Sequence, residues 1–225
     1  MSRIHRNRIY AVALLALLTA GCGTSPIAEA EAAEGLRISP PTQPIAEGKA
    51  TQVAVFAGGC FWGVEGVFEH VKGVISVESG YAGGQAAKAN YDLVSSGTTG
   101  NAEAVRIRYN PALVSYNDLL QIFFSVAHDP TQRNRQGPDV GSQYRSAIFP
   151  ANVAQKAAAS AYIAQLNKAG YWKKPIATRI ESYSFVRAEA HHQDFMARNP
   201  DNGYIRAWDA PKLANLKRLF PTRFR

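Results

Sequence analysis

Residues 53–63 read Val-Ala-Val-Phe-Ala-Gly-Gly-Cys-Phe-Trp-Gly, and this stretch decides the first half of the fold. The apolar run Val53–Phe56 predicts a short buried strand, which the two glycines end. Apolar residues then follow at helical spacing: Phe61, Val64, Phe68 and Val71. Cys60 therefore lies between a strand and the start of a helix, and the glycine turn leaves its sulfur accessible.

The same patterns, followed outward, predict the rest of the fold. We expect strands at 74–81, 102–109, 145–149 and 176–183, and helices at 115–127, 152–169 and 188–198. Ser115 suits a helix N-cap, and Gly170 suits a helix end. Strands and helices alternate irregularly, with one adjacent strand pair. This order favours an α+β two-layer sandwich with a ferredoxin-like core, a mixed or antiparallel sheet and an extra C-terminal helix.

The N-terminus has the features of an exported protein. Arg3, Arg6 and Arg8 precede the apolar run Ile9–Leu18, as in a signal peptide. Thr19-Ala20-Gly21-Cys22 resembles a bacterial lipoprotein cleavage site, although Thr19 stands where a large aliphatic residue is usual. We expect a signal peptide at 1–22, a lipid on Cys22 as a membrane tether, and a periplasmic or cell-envelope protein. Cleavage near residues 28–30, which would give a secreted protein without an anchor, stays open.

The remaining chain divides at the point where apolar periodicity begins. Residues 23–50 are rich in Ala, Glu, Pro, Thr and Gly, which predicts a flexible linker. Residues 51–225 have globular composition and predict one catalytic domain. Basic residues gather near its end, where we expect a solvated tail: Lys212, Lys217, Arg218, Arg223 and Arg225.

Charge and motif content exclude several classes of function. The net charge is +8, and without the three N-terminal arginines it is +5, from 22 basic and 17 acidic residues. This excess is modest, and no nucleic-acid-binding motif accompanies it, so we expect no nucleic-acid partner. The five histidines and two cysteines lack zinc-site spacing. No dinucleotide or phosphate-binding fingerprint is present, so we expect neither metal nor cofactor.

Cys60 is the candidate nucleophile. Backbone N–H groups at a helix start stabilise a thiolate, which predicts a lowered pKa and a reactive sulfur. The alternative is a small buried core residue, because free cysteine is among the most buried residue types. Cys22 is the second cysteine of the chain. If it is acylated or removed, Cys60 has no partner for an internal disulfide.

Several motifs in order then resemble one known family, the type A peptide methionine sulfoxide reductases. The similarity extends over roughly residues 51–204, and its motifs are Gly59–Gly63, Gly80–Gly84, Tyr91–Val94 with Ser96-Gly97 and Thr99-Gly100, Ala102–Val105, His128–Gln132, Asn134–Gly137 and Gln143–Ser146. The resemblance implies an enzyme that reduces the S-epimer of methionine sulfoxide, in proteins or as the free amino acid, and so repairs oxidised proteins. Cys60 would become a sulfenic acid.

The resemblance also implies roles for individual residues. Glu103 takes the position of the proton donor to the sulfoxide oxygen, and Tyr91 and Tyr144 those of its binding partners. Asp139 takes the position of a residue that supports this network. The aromatic pair Phe61 and Trp62 would hold the S-methyl group. Without the motifs, these residues are ordinary core or strand-face side chains.

Four positions depart from the family pattern. Ile205 follows Asn202-Gly203-Tyr204 where many relatives have a cysteine, and Ser95 stands at a second position where many have one. Asn101 replaces a histidine, and it can form hydrogen bonds but does not titrate. His191 stands where tyrosine is common. Because no cysteine follows Cys60, an external thiol, either a thioredoxin-like protein or a small thiol, must reduce the sulfenic acid.

Two other functions remain open at this point. A thiol hydrolase would use Cys60 with His128 or His192 as its base. A redox sensor or binding module would carry the thiol without turnover. We further expect a monomer.

Overall fold

The structure is a computed structural model that describes residues 35–225. The predicted signal peptide, its Cys22 and the first part of the predicted linker lie outside the described residues. Within residues 35–225, no helix is both long enough and apolar enough to cross a membrane.

Eight strands and six helices make up the described chain, joined by short 3₁₀ and π turns. The strands are β1 (Gln52–Gly58), β2 (Val74–Ala82), β3 (Ala102–Tyr109), β4 (Arg135–Gln136), β5 (Asp139–Val140), β6 (Ser146–Ile148), β7 (Arg179–Ile180) and β8 (Val186–Arg187). The helices are α1 (Phe61–Glu69), α2 (Tyr91–Ser95), α3 (Tyr116–Ile122), α4 (Val153–Ala169), α5 (Phe195–Arg198) and α6 (Ala210–Leu219).

Six strands form one sheet in the order β7-β6-β1-β3-β2-β8, and β4 pairs with β5 in a separate hairpin. All neighbours in the large sheet are antiparallel except β6 and β7. The succession β1-α1-β2-β3-α3-β6, with sheet order β6-β1-β3-β2, is a ferredoxin-like arrangement. The predicted α+β sandwich with its mixed sheet is confirmed.

The helices cover one face of the sheet, as alternation along β1 shows. Ala54 and Phe56 belong to the main core shared with α1, α3 and α4, whereas Val55 and Ala57 belong to a smaller apolar cluster. Successive side chains of a strand point to opposite faces, so the main core lies between sheet and helices. This two-layer packing fixes the end of β1, and with it Cys60.

The prediction of a flexible linker at 23–50 is wrong for its described part. Ile38 is only 1% exposed, and the Leu36 amide donates to the Ser125 carbonyl at 3.1 Å. Glu47 accepts hydrogen bonds from the Tyr109 hydroxyl at 2.6 Å and the Tyr116 amide at 2.8 Å. The carboxylate thus lies at the amide end of α3, where a negative charge is favourable. Side-chain hydrogen bonds from Gln121 to the Ile38 carbonyl at 2.7 Å and from Tyr162 to the Ser39 carbonyl at 2.6 Å also fix this segment, which lacks apolar periodicity.

In the predicted solvated basic tail, Lys217, Arg218 and Arg225 are exposed, but the segment that carries them packs against the domain. The expected C-terminal helix is present as α6, and the residues after it return to the domain. Arg223 donates to the Leu113 carbonyl and to Asp118, both at 2.8 Å. Arg225 donates to the Glu69 carbonyl at 2.5 Å, which lies at the C-terminal end of α1, where a cation is favourable.

Three element boundaries differ from the predictions. The strand expected at 176–183 shortens to β7, and the helix expected at 115–127 ends as a π turn over Phe123–Ala127. The helix expected at 188–198 breaks because the Gln193 side chain bonds the backbone N–H and C=O of Ser79. Asp194 follows with φ 51°, a left-handed conformation that ends the first turn.

Candidate active site

Cys60 occupies the N-cap position of α1, directly after β1. It is 7% exposed, so most of the thiol lies inside the protein. Gly59 has φ 90°, and a Cβ on it would lie 2.5 Å from the Gln136 side chain. Glycine is therefore required for the turn that presents Cys60 at the helix start.

Glu103 is the acidic group of this site. It lies on β3 opposite Tyr81 of β2 and is 3% exposed. Its Oε2 accepts a hydrogen bond from the Phe61 amide at 3.0 Å, so the carboxyl group sits one residue from the thiol. Burial, followed by the fields of Asp139 and Asp209, raises its pKa from 4.5 to about 8. Glu103 is therefore protonated at neutral pH and can donate a proton.

The thiol has the opposite pKa shift to the one predicted from the helix start. The Trp62 amide does bond the sulfur and lowers the pKa of Cys60, as does Lys212. Burial, with the negative fields of Glu103 and Asp209, outweighs both and raises the pKa well above 9.0. Desolvation by the closed site exceeds the helix-start effect. Without substrate, the resting pair at pH 7 is a thiol beside a carboxylic acid.

Tyr91, Tyr144 and Asp139 lie around the same pair. The fields of Glu103 and Cys60 contribute to the raised pKa of both tyrosines, after burial as the main cause. Both hydroxyls are therefore protonated donors at neutral pH. Asp139 accepts a hydrogen bond from the Tyr204 hydroxyl. Burial raises its pKa, and this hydrogen bond and Lys212 lower it.

The two residues of the predicted aromatic pair differ in burial, because one lies in the core and the other is partly exposed. Phe61 is 1% exposed, and its ring contacts Tyr81 and His192. Trp62 is half-buried and stacks on Phe195 with ring centroids 3.8 Å apart. The Trp62 indole N–H donates to His192 Nδ1 at 3.2 Å. This hydrogen bond and the stacking fix the Trp62 ring beside the site.

Asp209 and Lys212 belong to the site but were not predicted. Asp209 is fully buried, and Lys212 Nζ lies 3.0 Å from its Oδ1. A Cβ on Gly63 would lie 2.0 Å from that oxygen, so the pair packs onto the first turn of α1. The sequence signal was present, because an acid and a lysine three residues apart share a helix face, but nothing local connects them to Cys60.

A cavity of about 280 Å³ opens beside the thiol. Its wall includes Cys60, His128, Gln136, Asp139, Trp208 and Lys212. Glu103, Tyr91 and Tyr144 are not part of this wall. The cavity therefore gives access to the sulfur.

The two histidines proposed as hydrolase bases are engaged elsewhere. His128 Nδ1 lies 3.0 Å from the Phe123 carbonyl and its Nε2 lies 2.7 Å from the Ser146 hydroxyl. Burial lowers its pKa to about 4. His192 uses Nδ1 to accept from Trp62. Neither histidine forms a hydrogen bond to Cys60 among the contacts of residues 35–225, which argues against the hydrolase reading.

The four departures from the family pattern have local roles or lie apart from the site. Asn101 accepts from the Gly84 amide at 3.2 Å and donates to the Gln85 carbonyl at 3.1 Å, so it joins two loops. The Ser95 hydroxyl donates to the Tyr91 carbonyl at 2.7 Å, and a Ser95 side-chain hydrogen bond lowers the pKa of Tyr91, which burial raises. Ile205 is 1% exposed, and His191 is exposed.

Comparisons with known proteins point to one family. A family model described as peptide methionine sulfoxide reductase matches residues 52–223. "Peptide methionine sulfoxide reductase MsrA 2" of Mesorhizobium japonicum is 55% identical, covering 77% of this chain and 90% of that protein. A protein of the same description from Synechocystis is 51% identical, covering 79% and 83%.

Solved structures give the same result. The reduced form of Mxr1 from Saccharomyces cerevisiae has a TM-score of 0.61 and 33% identity, covering 71% of this chain and 92% of that one. Methionine sulfoxide reductase A of Corynebacterium diphtheriae has a TM-score of 0.58 and 30% identity, covering 74% and 89%.

Proposed function

Because the chain belongs to the peptide methionine sulfoxide reductase family, we propose that Cys60 and Glu103 together reduce the S-sulfoxide of methionine. The substrate is protein-bound or free methionine S-sulfoxide, and the product is methionine. One observation carries the assignment of roles. A buried carboxylic acid with a pKa of about 8 is bonded to the amide that follows the thiol residue.

The sulfoxide oxygen needs protons before it can leave sulfur. Glu103 donates one, and the hydroxyls of Tyr91 and Tyr144 hydrogen-bond the same oxygen. All three groups are protonated at neutral pH, because burial raises their pKa values. Asp139, which accepts a hydrogen bond from the Tyr204 hydroxyl, supports this hydrogen-bond network. The S-methyl group packs against Trp62, whose orientation Phe195 and Phe61 maintain.

The electron balance follows from the thiol. The Cys60 sulfur attacks the sulfoxide sulfur and gives up two electrons, and the oxygen leaves as water with one proton from Glu103 and one from the thiol. Water then attacks the Cys60 sulfur, which breaks the sulfur–sulfur bond, releases the thioether and returns one proton to Glu103. The net step converts a thiol and a sulfoxide into a sulfenic acid and a thioether. Because the raised pKa keeps Cys60 a thiol at rest, its proton must be removed as the sulfur attacks, since the thiolate is the nucleophile.

Regeneration uses an external thiol. Cys60 is the only cysteine among the described residues, and Ile205 is buried where many relatives carry a cysteine. Two external thiol groups, from a thioredoxin-like dithiol or two small thiols, convert the sulfenic acid back to a thiol and release water and a disulfide. The cavity beside Cys60 offers an approach for them. No cofactor enters this cycle.

Epimer-resolved turnover tests the proposal. The purified full chain is mixed with the S- and R-sulfoxides of N-acetylmethionine amide and with dithiothreitol. We expect loss of the S-epimer alone, none with Cys60→Ser, and normal loss with the control Ser160→Ala, which changes an exposed serine on α4. A folded wild-type protein that leaves the S-epimer unchanged would falsify the assignment.

We also propose that the enzyme acts as a monomer in the bacterial cell envelope, tethered by a lipid on Cys22. The basic and apolar order of residues 3–18 and the small residues before Cys22 support this. Mass spectrometry of the mature N-terminus would detect an acylated Cys22. An unmodified N-terminus near residue 29 would indicate secretion instead.

A further inference from the structure

Glu189 is an acid beside the active site that takes no part in the reaction described above. It lies immediately before the 3₁₀ turn Ala190–His192. Its Oε1 accepts the backbone N–H of Tyr91 at 2.9 Å, and its Oε2 accepts the hydroxyl of Tyr81 at 2.8 Å. One carboxylate therefore joins the start of α2 to strand β2.

The Tyr81 end of this link lies next to the proton donor. Tyr81 of β2 is paired directly with Glu103 of β3. Side chains at such paired positions lie on the same face of a sheet, with Cβ atoms about 5 Å apart. Tyr81 is 1% exposed, and its ring centroid lies 5.9 Å from that of Phe61. The first partner of Glu189 is therefore fixed in the core beside the carboxyl group that donates the proton.

The other end of the link is the first residue of α2. Tyr91 begins this helix, and its backbone N–H is the group that Glu189 accepts. The Tyr91 ring lies with its centroid 4.4 Å from that of His192, which belongs to the turn that follows Glu189. Glu189 thus holds the backbone of Tyr91, and the turn after it contacts the ring. Together they determine where the Tyr91 hydroxyl lies.

The segment that carries Glu189 is itself fixed to β2. The Ala188 amide donates to the Ser79 carbonyl at 2.9 Å. The Gln193 side chain accepts the Ser79 N–H and donates to the Ser79 carbonyl, both at 3.0 Å. Both ends of residues 188–193 are therefore bonded to one residue of the sheet. An acceptor supported in this way can hold a functional side chain in one geometry.

Glu189 is ionised at neutral pH. Burial opposes ionisation, but the hydrogen bonds to the carboxylate, first that from the Tyr91 amide, outweigh it and lower the pKa of Glu189. Hydrogen bonds to a charged acceptor are stronger than those to a neutral one. The link between α2 and β2 is therefore present at the pH at which the enzyme would work.

We propose that Glu189 is a positioning residue of the reductase, which holds the Tyr91 hydroxyl where it binds the sulfoxide oxygen together with Glu103. This inference rests on the proposed function, because that function assigns Tyr91 to the substrate oxygen. Glu189 acts through Tyr91 and not on the substrate. A displacement of about 1 Å near reacting atoms lowers a rate by up to about 100-fold. Loss of the carboxylate should therefore have an effect of that order.

Steady-state turnover of the S-sulfoxide of N-acetylmethionine amide by the full chain tests this role. Glu189→Ala should lower kcat/KM by about 10–100-fold and still unfold cooperatively in urea. Glu189→Gln should keep most of the activity, because its amide oxygen can still accept the Tyr91 N–H. The matched control is Glu78→Ala, which should equal wild type. Glu78 is also a half-buried, hydrogen-bonded acid, but it bonds Arg106 and lies on the opposite face of β2 from Tyr81.

A double-mutant cycle separates positioning from a merely structural role. Tyr91→Phe removes the hydroxyl and keeps the N–H that Glu189 accepts. If Glu189 acts through that hydroxyl, adding Glu189→Ala to Tyr91→Phe should lower kcat/KM little further. Losses that multiply in the double variant would overturn the proposal. So would full activity of Glu189→Ala, or a Glu189→Gln variant as slow as Glu189→Ala.

Two further readouts keep the outcomes distinct. Glu189→Leu retains the bulk of the side chain without an acceptor, and it takes the place of Glu189→Ala if that variant does not fold. Wild-type turnover shows which claim has failed. Folded wild type that leaves the S-epimer unchanged contradicts the proposed function, whereas active wild type with independent losses at Glu189 and Tyr91 contradicts only the positioning role.

Discussion

Replacing Glu103 with glutamine should lower activity and, at about pH 8, raise stability. The amide oxygen of glutamine can still accept the Phe61 N–H, which now donates to Glu103 at 3.0 Å. The position of the side chain is therefore retained. The variant lacks only the acidic proton and the ability to ionise.

Both magnitudes follow from the pKa of Glu103. General acid catalysis contributes about 10²–10⁴-fold, so kcat/KM for the S-sulfoxide should fall by that factor. A pKa raised from 4.5 to about 8 corresponds to about 5 kcal/mol at about 1.36 kcal/mol per unit. In the unfolded chain the Glu103 carboxyl ionises near pH 4.5, whereas in the native protein it ionises only near pH 8. The free energy of unfolding of the wild type therefore falls as the pH rises between these values. After about 1–3 kcal/mol for burying the new amide N–H, the variant should be about 2–4 kcal/mol more stable at pH 8.

Urea unfolding and steady-state kinetics at pH 5–9 measure the two effects. Wild-type kcat/KM should fall as the pH rises through about 8, where Glu103 loses its proton, and this limb should be absent from the variant. The stability difference should grow from pH 5 to pH 8. Wild-type activity in the variant, or a stability difference that does not change with pH, would refute the role and the ionisation state of Glu103.

Three further perturbations test the packing and the thiol. Gly63→Ala places a Cβ 2.0 Å from a buried carboxylate oxygen, so it should lower the free energy of unfolding in urea by about 1–3 kcal/mol. The control Gly203→Ala, whose Cβ meets nothing within 4 Å, should lower it little. Equal losses in the two variants would contradict the close approach. Ile38→Ala should lower the free energy of unfolding by about 2–5 kcal/mol because this side chain is only 1% exposed. The control Leu36→Ala, whose side chain is 47% exposed, should lower it far less. An unchanged urea midpoint for Ile38→Ala would mean that residues 35–50 do not stabilise the domain. The rate of Cys60 alkylation by iodoacetamide should rise about tenfold per pH unit up to at least pH 9, because the pKa of the thiol is raised above 9.0. A rate that reaches a plateau below pH 8 would show a lowered thiol pKa.

Local patterns predicted the elements that carry the chemistry. The apolar run before Gly58 and the helical spacing after Cys60 located β1, α1 and the thiol between them. Strand β3, with Glu103, was predicted at its observed limits of 102 and 109. Ser115 caps α3 with a reciprocal capping box, and Gly170 ends α4 with φ 68°. In each case the deciding interaction lies within a few residues of chain.

Features that depend on distant contacts were missed. Ile38 and Glu47 lie in a segment without periodicity, and only their partners on α3 and β3 show that it is ordered. The pKa of Cys60 depends on burial and on Asp209, which lies 149 positions later in the chain. The Trp62 amide at the helix start does lower the pKa of Cys60, but desolvation by burial raises it by more.

A single-turnover assay tests the central claim most directly, namely that Cys60 alone accepts the oxidising equivalents of the substrate. The full chain is mixed with excess S-sulfoxide and no reductant. Methionine is then quantified, and Cys60 is trapped with dimedone for mass spectrometry. We expect about one methionine per chain, a dimedone adduct on Cys60 and no product with Cys60→Ser. Methionine formed by Cys60→Ser, or several equivalents formed without reductant, would contradict it.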